Sequence, residues 1–255
     1  VTTKPSLSSV REQTVSSFET NIMNMNSSGN RYGLSTLTDT HMIKNIEWGA
    51  VAYLSHSKYG TCSGGTCTEI GINNNSNFIT GCGANASSLK NTTCNSYNTN
   101  NGMLASTTGN IYGVYDMSGG AWEYTMSNIV SSDGTIMMSG YSSLSNSGYT
   151  GKIYDSGNYT SYTGIDYPNN KYYDKYSYGT SYESRKRSKL GDGIKEVYKG
   201  SRGWYSDYSN LAYSIGSWFI RGGYYNGGVD AGLFNSDGYF GIAYSDDSSR
   251  LIITP

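Results

Sequence analysis

Asn110-Ile111-Tyr112-Gly113-Val114-Tyr115-Asp116-Met117-Ser118-Gly119-Gly120-Ala121-Trp122-Glu123-Tyr124 is the stretch on which the fold of this 255-residue chain turns. Two short runs rich in β-branched and aromatic residues, Ile111 to Met117 and Ala121 to Met126, flank a Ser-Gly-Gly turn and read as strands. Glycine pairs let a chain reverse through left-handed backbone without steric penalty.

Upstream, Val15, Phe18 and Ile22 fall at helical spacing. Ile43, Ile46, Ala50 and Leu54, with Val51 beside them, predict a helix from about Asp39 to His56, with Asp39 as its cap. From Tyr59 to Asn101 the density of Gly, Asn, Ser and Thr predicts loops. All four cysteines, Cys62, Cys67, Cys82 and Cys94, lie there, an even number that suits disulfides in an exported protein. The favoured pairing is Cys62 with Cys67 and Cys82 with Cys94. Zinc fits poorly, because the spacings lack the short paired knuckles of a four-cysteine site. Downstream, 149–182 is poor in aliphatics and rich in Tyr, Asn, Asp and Ser, and reads as an insertion with little regular structure.

Composition narrows the function. Charged residues make up 15% of the chain and the net charge is -1, so nucleic acid and anionic membrane surfaces are not expected partners. Tyr numbers 26 and Gly 33, giving a polar but uncharged exterior. No apolar run is long enough to span a bilayer, so direct membrane insertion is not expected. No signal-peptide pattern begins at Val1, and the expectation is a trimmed mature or ectodomain piece.

Several letter patterns carry no chemistry. Gly81-Cys82-Gly83-Ala84-Asn85-Ala86 matches a dinucleotide fingerprint without the flanking strand, helix or downstream acid. His41 and His56, the two histidines, accompany no metalloprotease or nucleophile motif and suit packing or surface roles. Arg185-Lys186-Arg187-Ser188-Lys189 reads as a solvated basic run.

The C-terminal fifth differs in kind. From Gly222 to Ser249 there is no Lys, Glu, Gln, Met or Trp, and Tyr, Asn, Asp, Ser and Phe alternate with small spacers. Binding surfaces favour such residues, because Tyr supplies rigid amphipathic area while Ser, Gly and Asn adapt their hydrogen bonds. Gly222, Gly223, Tyr225, Gly228, Ala231, Gly232, Phe234, Gly241 and Ala243 read as framework. Tyr224, Asn226, Val229, Asp230, Asn235, Asp237, Tyr239, Phe240, Tyr244 and Asp246 are then expected to point outward and contact ligand.

Three segments resemble one family. Thr40 to Tyr53, with its Glu47-Trp48 pair, looks like a helix of formylglycine-generating enzymes. Asn110 to Tyr124 is similar to that family's most recognisable motif, with Gly120 where Asn is usual, and Arg221-Gly222-Gly223 with the terminal Ser249-Arg250-Leu251 resembles its closing segment. The matches run from about residue 30 to the C-terminus. They imply an α+β C-type lectin fold of the formylglycine-generating type over 30–255, preceded by a lead-in segment, 1–29, packed on it.

The resembled enzymes use cysteines near the end of the closing segment, where Leu251 stands here, and no cysteine follows Cys94. The oxidase chemistry and its copper site therefore do not carry over, and no cofactor is required. The acidic residue of the central motif holds a structural calcium in some members. Glu123 is the corresponding candidate, with carbonyls of Ser118, Gly119 and Ala121; capping of backbone amides in the core is the alternative.

A narrower resemblance is to the variable proteins of diversity-generating retroelements. They place adenine-directed variation at the C-terminal end of this lectin fold. Codons that begin with two adenines and end in a pyrimidine, once both adenines vary, never encode Lys, Glu, Gln, Met or Trp, the types missing from 222–249. The resemblance implies a non-enzymatic adhesin or receptor-binding protein at the cell surface or outside it. An unknown protein or glycan would be the ligand, and a pilus, envelope or phage tail component the mount. A divergent oxidase and a structural surface or pilus subunit are the alternatives.

Overall fold

The computed structural model describes residues 9–80, 95–130, 135–137, 151–155, 158–162, 171–177, 187–197, 199–213 and 216–255. Cys82, Cys94, residues 81–86 and the start of the basic run, 185–186, lie outside them. The fold is mixed α+β, with short helices and mostly strands.

Helix α1 (Val15–Met23) is capped by the Thr14 side chain, which accepts from the Ser17 N–H at 3.2 Å. Its stripe of Val15, Phe18 and Ile22 is buried as the spacing predicts, against Met42, Tyr124, Met126 and Trp218. The start of the chain thus contributes to the main core.

The predicted helix from Asp39 begins later. Asp39–Met42 is instead strand β1, and helix α2 spans Asn45–Ser55. Strand β1 pairs antiparallel with the last strand, β12 (Leu251–Thr254), with His41 opposite Ile252. That remote partner overrides the helical periodicity of its neighbours. Glu47 rather than Asp39 secures the helix start, accepting from the Lys44 N–H at 2.9 Å.

Strands β2 (Cys62–Ser63) and β3 (Thr66–Cys67) form a hairpin around Gly64 and Gly65, both at positive φ, and a disulfide joins Cys62 to Cys67. Two residues with left-handed backbone make the turn that suits a two-residue hairpin.

The main sheet is built on β4 (Trp122–Val130), which follows the Gly119-Gly120 turn. The run Ile111 to Met117 is not a strand as expected; it is turn, held by an isolated bridge between Ser106 and Tyr115. Strand β5 (Thr135–Met137) leads to β6 (Gly151–Asp155), β7 (Asn158–Tyr162) and β8 (Asp174–Ser177). The described part of 149–182 therefore carries three strands where little regular structure was expected. Cross-strand pairing supplies there what hydrophobic patterning does not show.

Strand β9 (Trp218–Gly222) lies between β4 and β10 (Gly232–Tyr239), and the path along the sheet is β10-β9-β4-β5-β6-β7. β8 and β11 (Asp247–Ser249) each pair parallel with β4. Every residue of β9 is buried, with Trp218 and Ile220 in one core cluster and Phe219 in another against Tyr176. A third cluster gathers Ile43, Trp48, Met117, Leu233 and Phe234 between α2 and β10. Trp48 ties these elements with an indole N–H donated to the Leu233 carbonyl at 2.7 Å.

Candidate functional site

The 222–249 segment is anchored to the central motif through backbone. Gly119 donates its N–H to the Gly222 carbonyl at 2.9 Å, Tyr225 donates to Gly120 at 2.8 Å, and Asn75 donates to Tyr225 at 3.0 Å. Gly222 and Gly223 sit at φ +83° and +73°, and a Cβ on Gly223 would come within 2.6 Å of Ala231 Cα. Larger residues cannot make that approach, so this part of the framework is fixed by sterics. Ala231 and Phe234 are buried as expected, whereas Ala243 is exposed.

Beneath the segment lies Arg221, fully buried, with Nε donating to the Asn235 carbonyl at 2.8 Å and Nη1 to the Asp192 carbonyl at 2.9 Å. Burial pushes this guanidinium down to about 10, opposed by Asp192. The Arg of the Arg-Gly-Gly closing segment is thus a strut joining β9, β10 and the 192 loop.

Of the expected contact residues, Asn226, Val229 and Tyr244 are exposed, and Tyr224, Asp230, Asp237, Tyr239, Phe240 and Asp246 are partly so. Asn235 is the correction: it is buried, not outward. The β9–β10 register slips between Gly232 and Ser236, and Leu233, Phe234 and Asn235 in the slip are all buried.

Eight of the expected residues fall into two groups, one of five and one of three. Tyr224, Asn226, Asp230, Asn235 and Asp237 line one pocket of about 320 Å³, whose wall is completed by Trp122 and Tyr208. Trp122 and Tyr224 stack there with centroids 5.8 Å apart and planes at 15°. Arg202 forms an ion pair with Asp230 at the rim. Burial pushes the Asp237 carboxyl up to about 6, against the Gly238 N–H that it accepts at 2.8 Å. Tyr239 packs at 4.9 Å from Phe240 and 6.0 Å from Tyr244, a second aromatic group. Tyr239 also leans on the Tyr124 core cluster and is partly structural. Val229 and Asp246 line neither group's ring contacts or pocket wall.

Trp122 and Tyr208 are the wall residues that sequence reasoning missed. Tyr208 lies outside 222–249 and reaches the pocket through backbone bonds, donating its N–H to the Asp230 carbonyl at 2.9 Å and accepting from the Ser236 N–H at 3.0 Å. Trp122 was visible in the central motif, but its position against Tyr224 depends on the Gly120 to Tyr225 bond.

Glu123 matches neither of its expected roles. Its carboxylate faces Arg250, with Nε to Oε2 at 2.9 Å and Nη2 to Oε1 at 2.5 Å, joining β4 to the chain's closing segment. Burial pushes the Glu123 carboxyl up, with Arg250 opposing. The Ser118 carbonyl accepts from Asn73 at 2.8 Å. With both of its oxygens held by the Arg250 guanidinium, Glu123 is not free to serve as a calcium ligand in this arrangement.

No family model matches this sequence, and a search of curated proteins returns no match.

Proposed function

We propose that this chain is a non-enzymatic ligand-binding protein of the diversity-generating-retroelement variable type, built on a C-type lectin fold of the formylglycine-generating kind. The observation that carries the proposal is the pocket itself. Five residues picked from the biased 222–249 segment line it, held from behind by glycines and alanine too tightly packed to vary. A diversified surface needs that division between replaceable side chains and a fixed backbone.

Gly120, the departure from the resembled motif, supports the same reading. Its φ of +74° lies where Gly and Asn both sit readily, so the exchange leaves the turn intact. The closing segment offers Leu251 after Arg250 and no thiol, which disfavours oxidase chemistry. The Cys62–Cys67 disulfide suits display outside the cytosol, on a pilus, envelope or phage tail.

The test is binding of the full chain to glycan and protein arrays, alongside a Tyr224→Ser, Tyr244→Ser variant. The proposal expects parental binders that this variant loses or exchanges while its melting temperature holds. Conversion of a cysteine-containing sulfatase peptide to formylglycine above a no-protein control would overturn it.

A further inference from the structure

The pocket beside Trp122 has a donor–acceptor balance that selects among ligands. Asp237 has no ion-pair partner among the described residues, and burial already penalises its charge. Asn235 gives its Nδ2 to the Asp230 carbonyl at 2.6 Å, leaving a buried Oδ1 without a partner. An acceptor enclosed in this way is costly until a donor reaches it. Above these acceptors stand the Trp122 and Tyr224 rings and Tyr208. Among the described residues, the cation found beside Asp230 is Arg202, which is engaged with Asp230 and with the Ser206 carbonyl, the latter at 3.0 Å.

We propose that this pocket receives an arginine side chain from a basic segment of a protein partner, its guanidinium stacked on the Trp122–Tyr224 pair and donating to Asp237 and Asn235 Oδ1. The inference rests on the reading of this face as ligand-binding and names its ligand chemistry. A guanidinium is planar, offers five donors and no acceptor, is weakly hydrated and stacks on aromatic faces. Those properties match a site with two acceptors, a carboxylate that is hydrogen-bonded by Gly238 and Asn210 but has no ion-pair partner among the described residues, and an aromatic wall. A neutral saccharide would bring hydroxyls but leave the Asp237 charge without a counterion. The pocket volume, about 320 Å³, lies at the small end of ligand sites and suits one side chain rather than an extended molecule.

The probe is L-arginine amide, titrated into the full chain and followed by tryptophan fluorescence and by NMR, with L-citrulline amide as the neutral isostere and methyl α-glucoside as the sugar arm. The proposal expects saturable binding of arginine amide in roughly the millimolar range, at least about tenfold weaker citrulline binding, and no competition from the glucoside. Asp237→Asn should lower arginine affinity by about tenfold or more while the fold is retained. Tyr224→Ser gives an independent variant should Asp237→Asn fail to fold, and should weaken binding similarly. Equal binding of citrulline, binding of the glucoside in its place, unchanged binding by either variant, or no saturable arginine binding each overturn the proposal. A random-peptide array separates this from the broader reading. Peptide binders without arginine that the Tyr224→Ser, Tyr244→Ser variant loses would refute the arginine assignment and leave the binding face standing; no binders on any array would refute both.

Discussion

Trp122 and Tyr224 stack at 5.8 Å with planes 15° apart, a ring from β4 against a ring from the compositionally biased 222–249 segment. Trp122 comes from the motif that shapes the turn, and Tyr224 follows Gly222-Gly223 in the segment most biased in composition. Under the proposed function, this face is half scaffold and half variable.

The framework beneath that face should be unforgiving. Trp218 and Phe234 are fully buried, and truncating either to Ala empties core volume. Each substitution is expected to cost about 3 to 5 kcal/mol in urea denaturation. A loss under about 1 kcal/mol would mean that the strands β9 and β10 repack freely.

The ion pair between Glu123 and Arg250 predicts insensitivity to calcium. Glu123→Ala leaves the Arg250 guanidinium, partly buried, without its partner and should destabilise the fold by about 2 to 3 kcal/mol. Millimolar calcium should leave the melting temperature of the parent unchanged. A calcium-dependent rise of several degrees would place a cation where the guanidinium now sits.

Stability should fall as pH rises through neutrality. Burial pushes Asp237 up to about 6 and Asp247 up to about 8, the latter also through Asp246. Burial likewise raises Asp207 and Glu69; the neighbouring Glu69 adds to the rise at Asp207, whereas the hydrogen bond from Asp207 opposes it at Glu69. A carboxyl whose folded pKa exceeds its unfolded value of about 4 contributes stability below that value and loses it as pH climbs through the folded pKa. Asp39 and Glu47 act oppositely: burial resists their charge, but Lys171, His41 and the Lys44 N–H hold them below the ordinary range. Their contribution fails below about pH 4. The urea midpoint should therefore peak near pH 5 and decline by pH 8, and Asp247→Asn should flatten the decline. A midpoint that rises steadily from pH 5 to pH 8 would contradict the assignment.

The Cys62–Cys67 bridge should be local in effect. It closes a short loop and should contribute about 2 kcal/mol. Cys62→Ser with Cys67→Ser should lower the denaturation midpoint accordingly while ligand binding at the distant pocket is retained. Lost binding in a folded double variant would link the hairpin to the site.

Local patterning carried the parts of this fold that are locally determined. Val15, Phe18 and Ile22 share a helix face because their spacing leaves no other way to bury them together, and Cys62 and Cys67, the pairing favoured from their nearness in the chain, are joined. Asp39–Met42 was not legible as a strand, because its partner, Leu251–Thr254, lies at the other end of the chain. Asn235 was misplaced for a related reason. Small spacers imply regular alternation along β10, and the register slip breaks it. Tyr208 carries no signal of its own; its place in the pocket follows from hydrogen bonds to Asp230 and Ser236.

The most direct measurement is hydrogen–deuterium exchange of the full chain with and without a binder recovered from the arrays. A diversified binding face predicts added protection at 222–249, together with the segments around Trp122 and Tyr208, and no change around the Cys62–Cys67 hairpin. Protection confined to the hairpin side, with 222–249 exchanging as in the free protein, would contradict it.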